Sequence, residues 1–144
     1  MAIQVKVSDH INQSLEKVFE TIIDQQKIVK YFVSSSSGKI ATGAKIIWEF
    51  KDYDVTLEVH ILDVIENKKI QFEWEASGNK AQVIILFSEE NKGKTNIEIT
   101  EDSFEENVEG IKRAMGQTQG WTDFICSLKA YLYTGINLRT AKMN

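Results

Sequence analysis

The feature that most constrains the fold is an alternation of apolar and polar residues that runs, broken only by turn-forming segments, from Ile40 to about Asp102. Ile46, Trp48 and Phe50 share one parity, and Tyr53, Val55, Leu57, Val59 and Ile61 oppose Asp54, Thr56, Glu58 and His60. Ile70, Phe72, Trp74 and Ala76 then oppose Gln71, Glu73 and Glu75; Ala81, Val83, Ile85 and Phe87 form the next row; Ile97 and Ile99 oppose Asn96, Glu98 and Thr100. A period of two puts every second side chain on the same face of a strand, so each stretch reads as a half-buried strand. The connectors Glu66–Lys69, Ser77–Asn79 and Asn91–Lys94 are too short for a parallel crossover, so neighbouring strands run antiparallel. The chain has no proline, which leaves turn formation to Asn, Asp, Ser and Gly.

The flanks carry the helices. Ile3, Val5 and Val7 alternate with Gln4, Lys6 and Ser8 in a first strand. Asn12 or Ser14 then caps a helix with Leu15, Val18, Phe19, Ile22 and Ile23 on one face, ending near Asp24. A second short helix is predicted from Gln26 to Phe32, and the serine run before Gly38 reads as a loop. Residues 103–110 are acidic and weakly patterned; Glu101, Asp102, Glu105, Glu106 and Glu109 are expected in a solvated loop. The longest helical pattern follows, with Trp121, Phe124, Ile125, Leu128, Leu132 and Ile136 as its apolar stripe and Asp123, Ser127 and Lys129 facing away. Gly116 and Gly120 each cost this helix about 1 kcal/mol against alanine, which points to a kink or a close approach to the sheet. Gly135 is expected to fray its end. One strand, two short helices, a meander and a long amphipathic helix make an α+β chain with the helices on one face of an antiparallel sheet. A strongly twisted sheet has a concave face wider than one helix fills, which leaves space for a cavity.

Composition narrows the function. With 144 residues, 42% hydrophobic and 26% charged, the chain fits a single domain, 1–144, that needs neither metal nor disulfide to fold. A single cysteine, Cys126, and an N-terminus without a signal-peptide pattern point to the cytoplasm. No stretch has membrane-spanning length. A net charge of −4 with the lysines dispersed among acids excludes a nucleic-acid footprint. His10 and His60 both fall on polar parity, so no metal site is expected, and Cys126 has no adjacent base and reads as structural. Glu49, Glu58, Glu73 and Glu75 sit opposite the aromatic rows, on a solvated face; only an inward Glu49 would favour catalysis. No catalytic residue and no cofactor is expected.

Two segments resemble a known family. Ile11–Phe19 continuing to Lys30-Tyr31-Phe32, and Gly120-Trp121-Thr122-Asp123-Phe124 through Ser127–Leu132 and Gly135–Arg139, are similar to the opening and the C-terminal helix of START-like (SRPBCC) proteins in the activator of Hsp90 ATPase homologue group of small bacterial proteins; Gly43 with Ile46–Phe50 is similar to that family's second hairpin. The prolines usual beside the family's first helix are absent, with Leu15 and Gln25 in their stead. The resemblance implies a helix-grip (START/Bet v1-like) fold, a curved antiparallel sheet wrapped around the long C-terminal helix, with an apolar cavity between them. Members that activate Hsp90 carry a separate N-terminal domain, for which 144 residues are expected to leave no room. The expected function is binding of a small hydrophobic or amphipathic ligand, lined by Trp48, Phe50, Leu57, Phe72, Trp74, Val83, Ile85, Trp121, Phe124 and Leu128. Core packing is the competing role for each of these residues. A protein-interaction module with a chaperone or homodimer partner is the alternative. An enzyme of cyclase or dehydratase type ranks third, because no set of nucleophile, base and orienting group is visible.

Overall fold

The computed structural model describes residues 2–139. Its elements run β1 (Ile3–Ile11), α1 (Leu15–Ile23), α2 (Gln25–Ile28), β2 (Ser35–Ser36), β3 (Lys45–Phe50), β4 (Val55–Ile65), β5 (Lys69–Trp74), β6 (Ala81–Asn91), β7 (Lys94–Phe104) and α3 (Val108–Thr134). The strands form one antiparallel sheet in the order β1-β7-β6-β5-β4-β3-β2. This curved seven-stranded sheet and the long C-terminal helix make a helix-grip fold. Register irregularities between Ile3 and Val5, Ile61 and Asp63, and Glu89 and Asn91 supply the bends that an unbroken ladder lacks.

Segregated parity builds the core. Ile46, Trp48, Phe50, Val59, Ile61, Ile70, Phe72, Trp74, Ala81, Val83, Ile85, Phe87, Ile97 and Ile99 are all buried, and all but Ala81 belong to one cluster with Trp121, Phe124, Ile125 and Leu128 of α3. Removing such side chains from water is the main favourable contribution to folding, about 25 cal/mol per Å² of apolar surface. Polar contacts fix the layers. Ser14 caps α1 by accepting from the Lys17 N–H, and the Asp24 side chain accepts from the N–H groups of Gln26 and Lys27 to start α2. Tyr31 is fully buried and donates to the Thr21 carbonyl at 3.1 Å; burial pushes its phenol well above the usual value. Lys129 of α3 donates to Asp9 of β1 at 2.6 Å, which holds the Asp9 carboxyl below its ordinary range.

Several expectations are corrected. The serine run is an edge strand: Ser35 and Ser36 pair with Glu49 and Trp48, and the Ser34 and Ser37 hydroxyls accept from the N–H groups of Lys51 and Ile47. The second helix stops at Ile28, with Phe32 in the turn beyond it. Tyr53 and Val55 are exposed at the β3–β4 turn. On α3, Ser127 is buried and Ile136 is exposed beyond the helix end. Gly135 does not fray; at φ 76° it is the left-handed cap whose N–H donates to the Tyr131 carbonyl, a role that glycine fills without steric cost. The close approach lies at Gly110, where a Cβ would sit 1.8 Å from the Glu105 carbonyl oxygen, whereas Gly116 and Gly120 face open space.

Candidate functional site

Where the middle of α3 passes the β3–β4 turn, helix and sheet part to leave a cleft of about 830 Å³, open on one side. Its apolar wall is Phe32, Phe50, Leu57, Trp74 and Trp121, and the helix side is formed by Gly116, Gln117, Gly120, Asp123 and Cys126. Two glycines one turn apart on α3 keep the helix surface low, so the opening exists partly because side chains are missing there.

The aromatic wall is a continuous stack. Trp74 and Trp121 lie nearly parallel with centroids 5.4 Å apart, and Phe32 meets Trp48, Phe50 and Phe124 edge-on at 5.5, 5.2 and 4.7 Å. Edge-to-face and offset-stacked pairs are the favoured arrangements of aromatic quadrupoles. Behind the wall lies Glu101, with no exposed surface. Its Oε1 accepts from Trp121 Nε1 at 2.8 Å and Gln117 Nε2 at 2.9 Å, and its Oε2 accepts from Trp74 Nε1 at 3.0 Å. A buried carboxyl group is tolerated only when so hydrogen-bonded. Glu101 therefore fixes both indole planes, and its expected place in a solvated loop is corrected. It continues the inward row Ile97, Ile99, Glu101 of β7; following the parity of that row one step further would have found it.

Arg139 crosses the rim from beyond α3. Its side chain is almost wholly buried; Nη1 donates to Asp52 at 2.9 Å, and Nη2 forms an ion pair with Asp123 at 3.2 Å. Its guanidinium carbon sits 5.7 Å from the Phe32 ring centroid and 5.8 Å from that of Tyr53, within cation–π range. Asp52 and Arg139 are 87 residues apart, and no local pattern announces the pairing.

Of the ten residues predicted to line a ligand site, Phe50, Leu57, Trp74 and Trp121 border the cleft. Trp48, Phe72, Val83, Ile85, Phe124 and Leu128 lie in the packed interior. Trp48 Nε1 is buried without a hydrogen-bond partner among the described residues. Cys126 is exposed on the cleft side of α3 rather than packed in the core. Glu49 keeps the parity opposite Trp48 and Phe50, so it points away from the interior. His10 is exposed beside Asn96 and Glu90, and His60 is half-buried on β4. Among the described residues no group of three or more His, Cys, Asp or Glu side chains is placed to hold a metal ion. None of the described helices is long and apolar enough to cross a membrane.

A sequence model of the family described as activator of Hsp90 ATPase homolog 1-like protein matches residues 12–133. Among solved structures, a Staphylococcus saprophyticus protein is 30% identical, with 94% of this chain and 95% of that one covered at a TM-score of 0.81. The Aha1 dimer from Colwellia psychrerythraea is 18% identical, covering 92% and 98% at a TM-score of 0.79. DynU16, encoded in the dynemicin biosynthetic locus, is 21% identical over 92% of this chain and 48% of its own, at a TM-score of 0.81. At these last two identities the likeness is one of fold. A comparison with curated proteins found no match.

Proposed function

This chain belongs to the activator of Hsp90 ATPase homolog 1-like family, and from that premise we propose that it is a binding protein, holding one small hydrophobic or amphipathic molecule in the cleft between the sheet and the C-terminal helix. The observation that carries this reading is the 830 Å³ opening walled by Phe32, Phe50, Leu57, Trp74 and Trp121. That volume lies in the range of small-molecule sites, which pair apolar walls with a few fixed polar groups. The indoles are held in place before any ligand arrives, because both N–H groups are engaged by Glu101, so little ordering cost remains at binding. The exposed thiol of Cys126 fits a reducing cytoplasm.

The test is an equilibrium titration with N-phenyl-1-naphthylamine, an uncharged dye that brightens in apolar surroundings, read by energy transfer from tryptophan. One saturable site per chain supports the reading. A linear, unsaturable response up to the dye's solubility rejects it.

A second reading, a protein-interaction module, is favoured by one observation. Val108, Ile111 and Met115 recur at spacings of three and four on α3 and are 66%, 47% and 67% exposed. An apolar stripe on an outer helix face suits a second copy or another protein. Light scattering of the wild type and Met115→Glu separates the cases: a larger species lost on substitution supports an interface, and a monomer throughout rejects self-association.

A further inference from the structure

Resting on that binding reading, we propose that the cleft selects uncharged ligands and excludes their anionic counterparts, because the one cation that lines it among the described residues and the N–H donors of its aromatic wall are already engaged by carboxylates of the chain itself. Among the described residues Arg139 is the one cationic residue lining the cleft. Its two terminal nitrogens are taken by Asp52 and Asp123. The indole N–H groups of Trp74 and Trp121 and the amide of Gln117, which could otherwise hold a carboxylate or sulfonate head, donate instead to Glu101 behind the wall. Among the described residues the rim thus sets two carboxylates beside one guanidinium, with a third carboxyl buried behind the indoles. An entering anion would have to displace an aspartate from Arg139 or lie beside the two rim carboxylates in a half-desolvated site, where charges interact far more strongly than in water. Of the three Arg139 nitrogens, Nε is buried and has no hydrogen-bond partner among the described residues. A guanidinium already shared by two aspartates suits a neutral oxygen rather than a full anion. An apolar molecule with a carbonyl or hydroxyl end meets these conditions; a free fatty or aromatic acid does not.

The experiment uses two dyes that differ by one charged group, N-phenyl-1-naphthylamine and its sulfonate, 8-anilino-1-naphthalenesulfonate. The sulfonate competes against the bound neutral dye on the full chain. The expected result is a dissociation constant for the sulfonate about tenfold or more above that of the neutral dye, with the gap closing or reversing in Asp52→Asn/Asp123→Asn, where Arg139 is released to meet an anion. Circular dichroism checks that the isosteric double variant is folded, and Asp123→Asn alone serves if it is not. Equal affinity of the wild type for both dyes, or a ratio unchanged by the substitutions, overturns the charge selection while leaving the cleft reading intact. Failure of the wild type to bind either dye overturns both.

Discussion

Replacing Gly116 and Gly120 by alanine tests whether the cleft is kept open at a cost in stability. Both glycines lie inside α3, eight and twelve residues past its start at Val108, and a Cβ built on either meets no atom of the described residues within 4 Å beyond its chain neighbours and the adjacent backbone of its own helix. With no clash to offset it, each substitution recovers the difference in helix propensity, about 1 kcal/mol, part of which arises from restricting the unfolded chain. The pair therefore stabilises by about 1.5 to 2 kcal/mol. For a chain of this length, that raises Tm by roughly 5 °C. Thermal and urea denaturation followed by circular dichroism measure it, and the urea slope should not change. Gly120→Leu retains the backbone gain but sends its side chain into the opening, so N-phenyl-1-naphthylamine binding falls at least about tenfold as the dye's apolar contact is lost. A lower Tm for the alanine pair means that the helix is pressed against the sheet there, and refutes the reasoning; unimpaired dye binding by Gly120→Leu places the dye elsewhere.

Three further outcomes follow from the same geometry. Gly110→Ala, whose Cβ would fall 1.8 Å from the Glu105 carbonyl oxygen, should destabilise by about 2 kcal/mol or more, the opposite sign to Gly116→Ala in the same denaturation assay. Glu101→Gln should cost about 1 to 3 kcal/mol, because an amide nitrogen must replace an oxygen facing an indole or Gln117 donor; a silent substitution contradicts the assigned network. Asp9→Asn should lose a few tenths of a kcal/mol to about 1 kcal/mol at pH 7. Since Lys129 depresses the Asp9 pKa in the folded chain, this contribution is present above the unfolded carboxylate value of about 3.9 and disappears as pH falls through the lower folded value. Wild type and variant should therefore converge near pH 2 in urea titrations, and a constant difference across the range contradicts the ion pair.

How much of this was legible depends on the range of the interactions. The strand rows were readable because parity is local: Ile46, Trp48 and Phe50, or Ile70, Phe72 and Trp74, need no knowledge of their partners to be assigned one face. The helices were readable from their spacing, with Ser14 as a cap of α1; Asp24 was legible as the end of α1 but not as the cap of α2. Glu101 was missed because charge outweighed parity in judging residues 101–109; the parity was the better guide, since three N–H donors waited opposite. The serine run became a strand only because β3 offers it an edge. Arg139, Asp52 and Tyr53 meet through the closure of the whole sheet around α3, which no window of sequence contains. Likewise, the aromatic rows promised a lining but did not tell which members border space. That division depends on where α3 carries glycine rather than a side chain.

The most direct test of the central claim is a ¹H–¹⁵N correlation spectrum of the indole N–H groups of the three tryptophans during titration with N-phenyl-1-naphthylamine. Ligand occupancy of the cleft predicts that the Trp74 and Trp121 resonances move together and saturate with the dye's affinity, while that of Trp48, sealed in the interior, moves least. Stationary Trp74 and Trp121 resonances, with shifts confined to amides away from the cleft, would contradict it.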